Sequence, residues 1–143
     1  MTTAVFFALA GTLLVREGGG AEGGEESEAA DWRVPDGARE ALLALGESCH
    51  IGLLTNADRE RAEAAIEAHE LPVETVVSAA EAGAPKPDSA PFELARERVA
   101  AEESVMVGDD YEVDVEGARA AGFVPVHYER EGPNFWETLL ALV

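Results

Sequence analysis

The chain has a rhythm that leaves few folds open. AVFFALA (4–10), HIGLLTN (50–56), VETVVSA (73–79), SVMVGD (104–109) and FVPVHY (123–128) are short apolar runs, separated by longer amphipathic stretches. Runs of this length suit buried strands and are too short for buried helices. Between the first two runs, Ala38, Ala41, Leu42 and Leu45 recur at helical spacing behind Pro35. Strands alternating with helices imply right-handed crossovers and a parallel sheet covered on both faces. The expected fold is therefore α/β: a three-layer, Rossmann-like, doubly wound sheet of about five mainly parallel strands. At 143 residues it forms a single domain, 1–143, large enough to bury a core without disulfides or metals.

In detail, strands are expected at 3–9, 50–56, 73–79, 104–109 and 123–128, the last at a sheet edge because of Pro125. Helices are expected at about 36–46, 58–69 (capped by Asn56 or Asp58), 89–101, from the fourth strand to about Ala121, and over NFWETLLALV at the end. Residues 16–31, REGGGAEGGEESEAAD, are rich in Gly and Glu without apolar periodicity and read as a flexible loop.

Charge narrows the setting. Twenty-nine acids oppose ten bases, for a net charge of −19, and nine of the ten bases are arginine. Such an acidic, lysine-poor surface suits the cytoplasm of a halophile, where concentrated salt screens self-repulsion. No basic patch is present to neutralise phosphates, so nucleic acid is not an expected partner. No apolar run reaches the ~18 residues of a membrane span, and MTTAVFF has no basic leader. The single cysteine, Cys49, forms no internal bridge and reads as a small buried hydrophobe. His50 and His127 read as strand-end residues, and Trp32 and Trp136 as packing anchors. Arg59, Arg61, Arg96, Arg98 and Arg119 read as partners in surface ion pairs on helices.

In parallel sheets, sites form beyond the carboxyl ends of the strands. Four such ends carry unusual residues. Three of the seven aspartates, Asp109, Asp110 and Asp114, crowd into GDDYEVD. Crowded carboxylates repel one another unless a cation or hydrogen bonds offset the repulsion, and hard oxygen ligands suit Mg²⁺. An acidic turn whose Asp109 or Asp110 caps a helix is the plainer alternative. Lys86, the sole lysine, sits between Pro85 and Pro87, where a compact ammonium can meet a phosphate oxygen. Thr55 and Asn56 offer a hydroxyl and backbone N–H groups to an anion, or serve equally as a strand-ending cap. The first strand ends in ALAGT, where Ala8 and Ala10 put methyl groups at the point that usually delivers chemistry.

Taken together, the four stations resemble the haloacid dehalogenase-like (HAD) hydrolase superfamily along nearly the whole chain. The family's D-x-D-G-T stands here as ALAGT. Its second motif, a Thr or Ser at a strand end, is matched by Thr55. Its lysine, usually in K-P-D-P, is matched by Lys86 in KPDS, and its G-D-x-x-x-x-D by GDDYEVD. SAAEAGAPKPDSAPFELA and GARAAGF read like the phosphatase branch. The resemblance implies Mg²⁺-dependent phosphatase chemistry through an aspartyl-phosphate. The nucleophile and acid/base positions fall on Ala8 and Ala10. Phosphate contacts fall on Thr55, Asn56, Lys86 and Gly11, with Thr55 and Lys86 also catalytic. Metal ligation falls on Asp109, Asp114 and the Ala10 carbonyl, with Asp110 behind them. It also implies a capless member, because residues 16–31 are too few for the helical cap that many relatives insert there.

A methyl group is neither nucleophile nor proton donor, so the chain is expected to be inactive, with weak or absent Mg²⁺ binding. Three explanations stay open. The protein is a natural pseudoenzyme that retains a phosphorylated small-molecule ligand, an interaction module with a protein partner, or an active phosphatase whose aspartates were deliberately replaced. A substitute nucleophile at Asp109 or Asp110 is disfavoured, since both would approach from the metal side.

Overall fold

The computed structural model describes residues 2–16, 32–129 and 135–142. A five-stranded parallel sheet runs through it, with residues 75–78, 50–55, 3–7, 103–108 and 124–127 side by side in that order. Its strands are β1 (Thr3–Phe7), β4 (His50–Thr55), β5 (Thr75–Ser78), β6 (Glu103–Gly108) and β7 (Val124–His127). Two-residue strands β2 (Val15–Arg16) and β3 (Trp32–Arg33) pair antiparallel beside it. The helices are α1 (Ala38–Leu45), α2 (Arg59–His69), α3 (Ala79–Ala82), α4 (Ser89–Arg98), α5 (Gly117–Ala120) and α6 (Phe135–Leu142). A π-helical segment, Tyr111–Glu116, precedes α5.

Alternation along β1 divides the core in two, because successive side chains point to opposite faces. Val5 and Phe7 join Leu42, Leu45, Ala62, Trp136 and Leu139 on the face covered by α1, α2 and α6. Ala4 and Phe6 join Phe92, Ala95, Ala118 and Phe123 on the face covered by α4 and α5. This is the doubly wound, three-layer α/β arrangement that the alternating sequence requires. β7, with Pro125, lies at an edge, where a missing N–H is tolerated.

Several boundaries differ from the sequence expectation. The first strand stops at Phe7 rather than at residue 9. The chain folds back at once: Leu9 O accepts from the N–H groups of Thr12 (3.2 Å) and Leu14 (2.9 Å), and Gly11 holds φ at +89°. Only glycine adopts that conformation without strain. Ala8 and Ala10 therefore flank a tight turn instead of continuing an extended strand. Asp58, not Asn56, caps α2, accepting from Arg61 N at 2.7 Å. The helix begun at Ser89 ends at Arg98, because Val99 is already extended. Ser78 caps the unforeseen α3. The expected loop 16–31 begins one residue late, since Arg16 pairs with Trp32 across β2 and β3. Its remainder, and with it the question of what replaces a cap, lies outside the described residues. No helix among the described residues is long and apolar enough to cross a membrane.

Candidate functional site

The carboxyl ends of β1, β4 and β6 lie side by side at the centre of the sheet, where the winding reverses. They bring Ala8, Thr55 and Asp109 to the rim of one cleft of about 680 Å³, with Ala10, Asn56, Lys86, Asp110 and Asp114 also in its wall. Every candidate side chain from the four stations thus faces one space. Gly11 stands behind it, packed against Asp109.

Lys86 is the centre of the polar network. Its side chain is 3% exposed, and Nζ donates to Asp114 Oδ1 at 2.7 Å and to Leu54 O at 2.8 Å. An ammonium has three N–H groups, so one remains for a ligand. Burial pushes the Lys86 pKa below its ordinary value, against the pull of the Asp114, Asp109 and Asp110 carboxylates. Asp114 is equally enclosed, and its second oxygen accepts from Asp110 N at 3.2 Å.

Local backbone geometry explains how Asp114 reaches that place. Asp110 Oδ1 caps Val113 N at 3.0 Å, and the next turn is widened so that Asp110 O receives both Asp114 N (2.8 Å) and Val115 N (3.4 Å). The wider turn folds the Asp114 carboxyl back beneath Gly108. A Cβ on Gly108 would lie 2.3 Å from Asp114 Cγ, so only glycine admits the carboxyl there. π-helical turns of this kind are frequent at functional sites.

Asp109 takes a different position. Thr12, fully buried, donates from Oγ1 to Asp109 Oδ1 at 3.1 Å. The same carboxyl packs on Gly11, where an added Cβ would come within 2.4 Å of Oδ2. Burial raises the Asp109 pKa above the usual carboxylate range; the Thr12 hydrogen bond opposes this, and the nearby Asp114 and Asp110 carboxylates reinforce it. His127 Nε2 lies 3.0 Å from Asp109 O, and its ring meets Tyr111 edge-on.

Asn56 works mainly as a brace. Its carboxamide accepts from Lys86 N at 2.9 Å and donates to Lys86 O at 3.2 Å, tying the lysine loop to β4. Thr55 Oγ1 accepts from Ala57 N at 3.0 Å, which leaves the hydroxyl proton for the cleft. The Gly11 N–H donates to Leu14 O at 2.7 Å and is closed to an anion.

Sequence reasoning missed Thr12 and His127 as parts of this assembly. Thr12 had a signal, its place directly after Gly11 in ALAGT. His127 had none, because its contact arises where β7 lies next to β6. A separate cluster lies at the β5 edge of the sheet. There Arg59 and Arg98 hold Glu81 and both donate to Val76 O.

The haloacid dehalogenase-like hydrolase family matches residues 4–122, and the chain belongs to that family. Solved structures agree in fold. A HAD-superfamily hydrolase from Ehrlichia chaffeensis superposes with a TM-score of 0.78 at 18% identity, over 99% of this chain and 98% of that one. A HAD phosphatase from Thermococcus onnurineus superposes with 0.77 at 19% identity, over 92% and 88%. A 2-haloacid dehalogenase from Pseudomonas syringae pv. Tomato DC3000 is 29% identical with a TM-score of 0.56, over 68% of this chain and 42% of that one. No curated protein sequence matches the chain.

The family generally uses Mg²⁺, and the donors in this cleft fit that ion poorly. Ala8 presents a methyl group. Both Asp114 oxygens are engaged by Lys86 and Asp110 N, and Asp110 Oδ1 caps a helix. Asp109 and the Ala10 carbonyl are what is left. Among the described residues, no group of three His, Cys, Asp or Glu side chains is placed to hold a metal ion. A Mg²⁺ site takes six oxygens in near-octahedral geometry and is normally anchored by one or two carboxylates together with phosphate. The protein donors here fall short of a resident ion.

Proposed function

We propose that this chain is a catalytically silent member of the HAD-like hydrolases that keeps a phosphate-binding cleft. One observation carries the reading: Lys86, buried and locked by Asp114 and Leu54 O, stands ready beside two methyl groups. The lysine, its carboxylate partner, the bracing Asn56 and the π-helical turn are all in place. Holding a buried ammonium so closely is costly unless it is paired, and here the pairing leaves one N–H for an incoming oxygen.

The steps the chain's own residues can perform are binding steps. A phosphate oxygen accepts from Lys86 Nζ and from the Thr55 hydroxyl, in a space where Ala8 and Ala10 offer no competing negative charge. No side chain at position 8 can attack phosphorus, and none at position 10 can protonate a leaving group. Asp109 and Asp110 do not replace them. Thr12 holds the first, and the second is spent on Val113 N.

The test is titration calorimetry with inorganic phosphate in metal-free buffer containing concentrated KCl, which screens the net charge of −19. The unsubstituted chain is expected to bind phosphate. Ala8→Asp weakens that binding by roughly tenfold or more, because it returns a like charge to the cleft. A folded chain that binds no phosphate, or an Ala8→Asp variant that binds equally well, overturns the reading.

A further inference from the structure

We infer that the ligand is a phosphomonoester with a flat, apolar, aromatic body, seated along α2; this rests on the phosphate reading above. The cleft's volume of about 680 Å³ is far more than a phosphate group needs. It lies within the roughly 300–1,000 Å³ typical of small-molecule sites. What lines the remainder determines what fits there.

Ala57, Arg61, Ala64 and Ala68 recur at three- and four-residue spacing, so they share one face of α2 and its approach. That face belongs to the cleft wall, whereas Ala62, on another face, is buried in the core. Leu9, Leu14 and Trp32 complete the wall. Apart from Arg61 and His69, this part of the cleft is hydrocarbon and indole. A sugar phosphate would set most of its hydroxyls against methyl groups, with only Arg61 and His69 as polar partners, which is unfavourable. A flat aromatic body would instead displace water from methyl groups and indole, which is favourable. Arg61 adds a planar cation on the same helix face. Its side chain is exposed and makes no ion pair among the described residues, and a guanidinium stacks well on an aromatic ring.

The experiment is calorimetry on the full chain in the same metal-free buffer, with inorganic phosphate, 1-naphthyl phosphate, 1-naphthol and glucose 6-phosphate. 1-Naphthyl phosphate is expected to bind roughly tenfold or more tighter than inorganic phosphate. Glucose 6-phosphate is expected to gain nothing. Ala64→Gln and Ala68→Gln, both at exposed positions of α2, should remove the naphthyl gain while leaving inorganic phosphate binding unchanged. Equal affinity for all three phosphates overturns the inference and leaves the phosphate reading standing. A naphthyl gain that survives both glutamine variants also overturns it. Naphthol binding as tightly as its phosphate, with inorganic phosphate not binding, overturns the phosphate reading while the apolar wall stands. No binding of any probe overturns both.

Discussion

Breaking the Lys86–Asp114 pair from either side should cost more than removing it whole. At a separation of 2.7 Å the Coulomb attraction is about 6 kcal/mol at an effective dielectric constant of about 20. Both side chains are almost fully enclosed, 3% and 4% exposed, so desolvation offsets much of that attraction. What survives is the penalty for leaving one charge alone. Asp114→Asn keeps the shape but strands the ammonium with Leu54 O. Lys86→Met strands the carboxylate with Asp110 N. Each single variant should lose about 3–5 kcal/mol, a large part of the 5–15 kcal/mol typical of a domain. The double variant should lose at least about 2 kcal/mol less than the sum, because neither charge is then orphaned. Urea unfolding at fixed, high KCl measures all four corners of the cycle, with unchanged slopes confirming comparable unfolded states. Additive losses, or single losses under about 1 kcal/mol, would show that the pair is solvated and would refute the picture of a locked lysine.

Two further expectations concern the scaffold. Gly52, in the middle of β4, is closed to side chains, since an added Cβ would lie 2.6 Å from Phe6 Cε1. Gly52→Ala should destabilise by about 1–3 kcal/mol in the same urea assay, and a neutral result would contradict the packing of Phe6. Glu81 gives a pH signature. Burial pushes its pKa up, but hydrogen bonds from Arg59 and Arg98 win and hold it below the ordinary glutamate value. Its contribution is therefore complete above the unfolded pKa and is lost as pH falls through the lower, folded one. Glu81→Gln should cost up to about 1 kcal/mol near neutral pH, the partial exposure of the cluster keeping this small. The difference should vanish in acid; a pH-independent offset in unfolding midpoints would rule out the ion pairs as its cause.

How much of this was legible beforehand depends on range. The short apolar runs and the 3.6-period Ala38, Ala41, Leu42 and Leu45 are local signals, and they yielded the sheet, the layers and α1. The clustering of Ala8, Thr55, Lys86 and Asp109 followed from one topological rule about strand ends. What was not legible depends on how elements meet. The end of β1 at Phe7 is set by a turn closed on Leu9 O, which competes with a run that reads as strand to residue 9. The division of work among the three aspartates was hidden as well. Capping by Asp109 or Asp110 was readable as an alternative, but only the structure shows that Asp110 caps, that the π-helical turn brings Asp114 to Lys86, and that Asp109 faces Thr12. Nothing in the sequence signalled that the Asn56 carboxamide braces the lysine loop. Its neighbour across the cleft is 30 residues away in sequence, beyond any local pattern.

If the proposed reading holds, the cleft lacks only the two carboxylates at positions 8 and 10 for catalysis. The decisive comparison sets Ala8→Asp/Ala10→Asp beside the unsubstituted chain. Both are assayed as phosphatases toward an aryl phosphate with Mg²⁺ in concentrated KCl, and folding is verified for each. Mg²⁺-dependent turnover is expected of the double variant, and none above background of the unsubstituted chain. Turnover by the unsubstituted chain, or a folded double variant that stays inert, would contradict the proposed reading.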